Sequence, residues 1–94
     1  MKFQITATHI DAWDEEDEKK TELIVNEDEF VNEEEAIAVC EQMARGGFKY
    51  LNELHNMESD NIFTPEPPTI EKIKSGWKIS YIWEEYIFVA NKVD

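Results

Sequence analysis

The segment from Asn32 to Gly47, NEEEAIAVCEQMARGG, constrains the fold more than any other part of the chain. Asn32 is a good helix cap, and Glu35, three residues on, completes something close to a capping box. Glu33, Glu34 and Glu35 fill the first turn, where the positive end of the helix dipole favours carboxylates. Ala36, Ile37, Cys40, Met43 and Ala44 then recur at helical spacing and form one apolar face. Gly46-Gly47 reads as the stop. The pattern predicts a main helix over 33–45, and its apolar stripe needs a partner surface.

The flanking sequence offers strands. Phe3, Ile5, Ala7 and His9 alternate with Lys2, Gln4, Thr6 and Thr8, the period of a half-buried strand. Thr21–Asn26 contains Leu23-Ile24-Val25, a short β-favouring run, and predicts a second strand paired with the first as a hairpin. Asp14–Lys20 would be its loop, longer than the usual two to five residues. Near the other end, WKISYIWEEYIFVAN reads as a second hairpin, with Trp77, Ile79, Tyr81 and Trp83 on one face and Tyr86–Ala90 returning. Glu84-Glu85 is a poor two-residue turn, since neither residue favours positive φ, so a longer or bulged turn is expected. Both faces of this hairpin are apolar, which calls for a central position or a partner.

Phe48–Met57 fits a helix through Phe48, Leu51, Leu54 and Met57, while Phe48 and Tyr50 also fit the start of a strand; helix is preferred. Glu58–Pro68 holds all three prolines and reads as a loop. Thr69 can cap a short helix near 69–75, with Ile70 and Ile73 inward and Gly76 as its stop. The expected fold is α+β: a single acidic domain over 1–94, with an antiparallel sheet of about four strands in two hairpins and the main helix on one face.

Ninety-four residues suffice for one modest core, and the three Trp, three Tyr and five Phe distinguish the chain from a disordered acidic tail. A single cysteine, Cys40, permits no intramolecular disulfide and points to a reducing compartment. No apolar run of signal-peptide or membrane-span length is present, so a cytoplasmic protein is expected.

Net charge is −13, and its placement is uneven. Residues 11–35 hold 13 carboxylates and two lysines, a local net of −11. That balance argues against direct binding to nucleic acid or anionic lipid, which require cationic side chains to replace counterions. A natural partner is expected to be basic.

Catalytic and metal chemistry find little support. His9 and His55 are separate from Cys40, which lies on the apolar face of the helix, and no nucleophile elbow or phosphate loop is present. Asp11–Glu22 spans twelve residues with acids at both ends, the length of an EF-hand loop. Yet Trp13 falls at position 3, Glu16 falls where the sharp turn needs glycine, and no helix precedes it. One Cys and two distant His do not make a zinc site. The chain is read as non-enzymatic, with no metal and no cofactor.

The acidic region has two readings. It is either a solvated loop and helix start that confer solubility, or a recognition surface for a basic protein. On the second reading, Asp14, Glu15, Glu16, Asp17 and Glu18 make the outer contacts. Glu27, Asp28, Glu29, Glu33, Glu34 and Glu35 extend the surface, and Trp13 supplies an apolar anchor. Were the hairpin to return to the helix start, these clusters would form one stripe. Small acidic nucleic-acid mimics, including anti-restriction and anti-CRISPR proteins of phages, share this size and charge, an analogy of type rather than of motif. The alternative is a small structural or regulatory domain, homodimeric through its aromatic hairpin. Trp77 and Trp83 are expected in the core.

Overall fold

The computed structural model describes residues 1–11, 19–57 and 66–93. Five strands and one helix follow in the order β1 (Lys2–Asp11), β2 (Lys19–Glu29), α1 (Glu33–Met57), β3 (Thr69–Ile73), β4 (Gly76–Tyr81) and β5 (Glu84–Lys92). The strands form one antiparallel sheet in the order β2-β1-β5-β4-β3, so the first and last strands pair along their length at its centre. The fold is α+β as expected, with five strands rather than about four.

Alternation in β1 sorts the sheet into two faces. Phe3 and Ile5 point to the helix and join Ala36, Cys40 and Ala90 in one buried cluster. A second cluster joins Ala44 and Leu51 of α1 to Ile79 and Tyr81 of β4. Trp77 and Phe88 pack against both. The helix lies chiefly across β4 and β5, with smaller contacts to β1 and β3, and it does not reach β2. The last hairpin lies inside the sheet, with β5 flanked by β1 and β4, and its Trp77, Ile79, Tyr81 and Phe88 face the helix.

The helix is longer than its glycines suggest. It runs 25 residues to Met57, about 37 Å, straight through Gly46-Gly47. The stripe that starts at Ala36 continues through Phe48, Leu51 and Leu54, and burying those side chains outweighs roughly 1 kcal/mol per glycine. Neither glycine adopts positive φ, so neither acts as a left-handed cap. Residues 48–57 are helical, the preferred of the two readings.

The glycines differ in their surroundings. A Cβ on Gly47 would lie 3.1 Å from Ile79 Cδ1, whereas one on Gly46 would meet nothing within 4 Å. Gly46→Ala is therefore expected to stabilise the domain by about 0.5–1 kcal/mol, read as a higher urea midpoint at unchanged slope.

Thr69–Ile73 is a strand, not the short helix that Ile70 and Ile73 suggested. So short a helix would have to nucleate alone, whereas pairing with β4 offers five cross-strand partners. Ile70 faces Ile79, and Glu71 Oε1 lies 2.9 Å from Lys78 Nζ. Lys74-Ser75 makes the turn, with Ser75 at φ 63°, and Gly76 opens β4 instead of ending a helix.

The last hairpin turns at Ile82-Trp83, two residues before Glu84-Glu85. Pairing of β5 with β1 extends to Glu84 opposite Asp11, which holds both glutamates in the strand. Ile82 sits at φ 55°, a conformation that a β-branched residue rarely adopts. No helix among the described residues is long and apolar enough to cross a membrane.

Candidate acidic interaction surface

The acidic residues that follow the midpoint of β2 are gathered at one end of the sheet. Glu27, Asp28 and Glu29 close β2, residues 30–32 cross to the helix, and Glu33, Glu34 and Glu35 form its first turn. All six are exposed.

Most of them are held in place. Lys2 Nζ and Gln4 Nε2 each donate to the Glu27 carboxylate at 2.8 Å. The hydrogen bond from Lys2, supported by that from Gln4, holds the Glu27 carboxyl below the usual glutamate range. Glu29 Oε2 lies 3.2 Å from the Met1 amino group, and Asp28 Oδ1 accepts from the Glu29 backbone N–H at 2.8 Å. Asn32 Oδ1 accepts from the Glu35 N–H at 2.9 Å, as the cap requires. Glu35 Oε2 returns the contact by accepting from the Val31 N–H at 2.8 Å, one residue before the position a capping box uses. Glu33 Oε1 accepts from Ser75 Oγ at 2.9 Å and ties the helix start to the β3–β4 turn. Glu34 borders a shallow groove of about 260 Å³ that Ile37, Glu41, Lys72 and Trp77 also line.

This part of the acidic region is thus an ordered rim, whose carboxylates also serve the cap, the turn and the end of the β1–β2 ladder. Trp13, Asp14, Glu15, Glu16, Asp17 and Glu18 lie outside the described residues. The strand ends that flank them, Asp11 and Lys19, pair with each other at the far end of the sheet from Glu29. Ten strand steps separate Lys19 from Glu29, about 33 Å. The helix start therefore stands beside the open end of the first hairpin. The exposed Leu23, Ile24 and Val25 separate Glu22 from Glu27 along β2.

The structure also bears on the residues weighed for chemistry. Cys40 is fully buried, and burial pushes its thiol up to about 11, so it carries its proton at neutral pH. His9 stacks on Tyr86 with ring centroids 4.6 Å apart, and its Nε2 lies 3.3 Å from Glu84 Oε1. His55 packs edge-on against Tyr81, with ring centroids 6.1 Å apart. Burial foremost, and then the neighbouring Glu84 carboxylate, raise the Tyr86 hydroxyl above its ordinary value. The two ends of the twelve-residue segment considered as a metal loop are strand residues, Asp11 in β1 and Glu22 in β2. Among the described residues, no group of three or more His, Cys, Asp and Glu side chains is arranged to hold a metal ion.

One feature was not read from the sequence. Trp83, expected in the core, is 57% exposed at the β4–β5 turn, next to the half-exposed Ile82. Alternation placed it with Trp77, Ile79 and Tyr81, but the turn removes it from the strand. The poor fit of Glu84-Glu85 to a tight turn was the signal that the turn lay elsewhere. Comparison with protein-family models, curated proteins and solved structures finds no match for this chain.

Proposed function

We propose that this chain is a non-enzymatic interaction protein whose acidic surface binds a basic protein. In its most concrete form it is a nucleic-acid-mimicking inhibitor of a nucleic-acid-binding protein, of the anti-restriction or anti-CRISPR type. The observation that supports this reading is the rim formed by Glu27, Asp28, Glu29, Glu33, Glu34 and Glu35, six exposed carboxylates on adjoining strand and helix ends. Hydrogen bonds orient several of them before any partner arrives, which lowers the ordering cost of association. Segment 14–18 adds five acids in a row in the sequence and is assigned to the same partner. Steering between opposite charges makes association fast and salt-sensitive.

The alternative is a small structural or regulatory domain whose acidity serves only solubility, homodimeric through the aromatic hairpin; Trp77, Ile79 and Tyr81 of that hairpin pack beneath the helix, while Ile82 and Trp83 at its turn are exposed.

The test is capture of basic proteins from lysate by three immobilised chains. These are wild type, a variant with Asp14→Asn, Glu15→Gln, Glu16→Gln, Asp17→Asn and Glu18→Gln, and a variant with Asp28→Asn and Glu34→Gln. The expected result is a basic partner retained by wild type at low salt, lost from the variants and released by competing duplex DNA. Equal retention by all three chains would discard the acidic-surface reading, and retention unaffected by duplex DNA would discard mimicry.

A further inference from the structure

The outer edge of β2 carries the most concentrated exposed apolar sequence among the described residues. Leu23, Ile24 and Val25 are 61%, 60% and 44% exposed, in the middle of an 11-residue edge strand that the helix leaves uncovered. An edge of this length presents unpaired backbone N–H and C=O groups, a ready template for another strand. Natural edges are blunted by bulges and charge, and β2 has both. Its register against β1 shifts at Ile5/Thr6, leaving Val25 as the extra residue, and charges occupy both of its ends.

The order of those charges identifies the occupant. β2 begins Lys19-Lys20 and ends Glu27-Asp28-Glu29, so a copy laid antiparallel sets the basic end of each strand against the acidic end of the other. We propose that β2 is a self-association edge, joining two copies through a two-fold axis between Ile24 and Val25 into a continuous sheet. Pairing with β1 puts Lys20, Glu22, Ile24, Glu27 and Glu29 on the face away from the helix, and Thr21, Leu23, Asn26 and Asp28 on the helix side. The two-fold sets Ile24 opposite Val25 of the second copy, Leu23 opposite Asn26, Thr21 opposite Asp28 and Lys20 opposite Glu29. Outside the bulge, every pair meets on a common face, as antiparallel neighbours must. Moving the axis by half a residue pairs opposite faces, and moving it by a whole residue separates Lys20 from Glu29.

This register has one unfavourable pair, Glu22 against Glu27, and the bulge interrupts the ladder at the axis. Two copies of net charge −13 also repel each other. The association is accordingly weak and reversible, which makes its charge dependence easy to read.

Sedimentation equilibrium of the full chain over a concentration series, at physiological salt, tests the assignment. Wild type is expected to show a monomer–dimer equilibrium. Lys20→Glu should weaken it about tenfold or more, since it reverses a directly opposed pair twice per dimer. Glu22→Lys should tighten it by converting the unfavourable pair. Glu53→Lys, on the exposed face of α1, changes net charge by the same amount and is the control. Three results would each overturn the proposal: wild type and Glu22→Lys both monomeric throughout, Glu53→Lys tightening as much as Glu22→Lys, or Lys20→Glu leaving the dimer unchanged. This edge is independent of the basic-partner reading, and capture by the acidic rim can succeed or fail without affecting it.

Discussion

Gly76→Ala is expected to remove a large part of the chain's stability, although it adds only one methyl group. Gly76 is the first residue of β4, paired with Ile73 and with Val89 of β5. A Cβ there would overlap the Phe88 carbonyl oxygen and stand 2.9 Å from both the Phe88 carbonyl carbon and Val89 Cα. These are backbone atoms of the central strand, held by ladders to β1 and β4, so no rotamer change relieves the overlap. The glycine is required by close approach of two backbones; its φ is not positive. Displacing β5 disturbs both neighbouring strands and the helix contact above them. A cost of more than about 4 kcal/mol follows, against a typical domain stability of about 5–15 kcal/mol. Far-ultraviolet circular dichroism and a urea titration would measure it. A folded Gly76→Ala variant with a midpoint near wild type would show that β3–β4 and β5 are not packed in this way.

Ile79→Ala has the next largest expected effect. Ile79 is 1% exposed and lies in the buried cluster with Ala44, Leu51 and Tyr81. Truncating an isoleucine in such a site costs about 2–5 kcal/mol, from lost transfer energy and from the cavity left behind. The same side chain limits what Gly47 can become, because its Cδ1 would stand 3.1 Å from an added Cβ. Gly47→Ala alone is therefore expected to stabilise less than Gly46→Ala. In the Ile79→Ala background it should recover about 1 kcal/mol, as the helix gains a better former and the methyl enters the vacated space. The pair is thus non-additive, and a double-mutant cycle reads the coupling directly. Additive behaviour would show that Gly47 does not set the helix–sheet distance.

These two glycines illustrate where sequence patterns reach their limit. Gly46-Gly47 has the form of a helix stop and Gly76 that of another, because glycine signals a cap through its intrinsic freedom. In the fold, Gly76 is a place where a side chain would not fit and Gly47 one where it would crowd Ile79, which depends on residues 12 and 32 positions away in the chain. The 69–73 segment failed for a related reason. Ile70 and Ile73 satisfy a helical spacing, and only the availability of β4 as a partner makes the extended form better. Trp83 was assigned by alternation to a face that its strand does not reach, since the register of β5 on β1 determines where the turn falls.

The acidic region divides in the same way. Its composition and its cap were legible: Asn32 and Glu35 exchange hydrogen bonds near the helix start, and Glu33–Glu35 fill the first turn. Its layout was not. One stripe from 14 to 35 required the loop side of the first hairpin to lie beside the helix, whereas Glu29 and the helix start stand about 33 Å along β2 from Lys19. β2 runs from Lys19, opposite Asp11, to Glu29, opposite Lys2, and leads into α1.

By itself, the sequence determined the α+β class, the N-terminal strand and its partner, the helix start and the faces that Ile5, Cys40 and Ala44 bury. Each of these depends on periodicity and capping, interactions between residues a few positions apart. Tertiary structure alone decided the fifth strand, the passage of the helix through its glycines, the turn at Ile82-Trp83, the acidic rim and the uncovered β2 edge. Those depend on which strand lies beside which and how far the helix extends across the sheet. The energies that select them come from pairings between distant segments, which no local pattern contains.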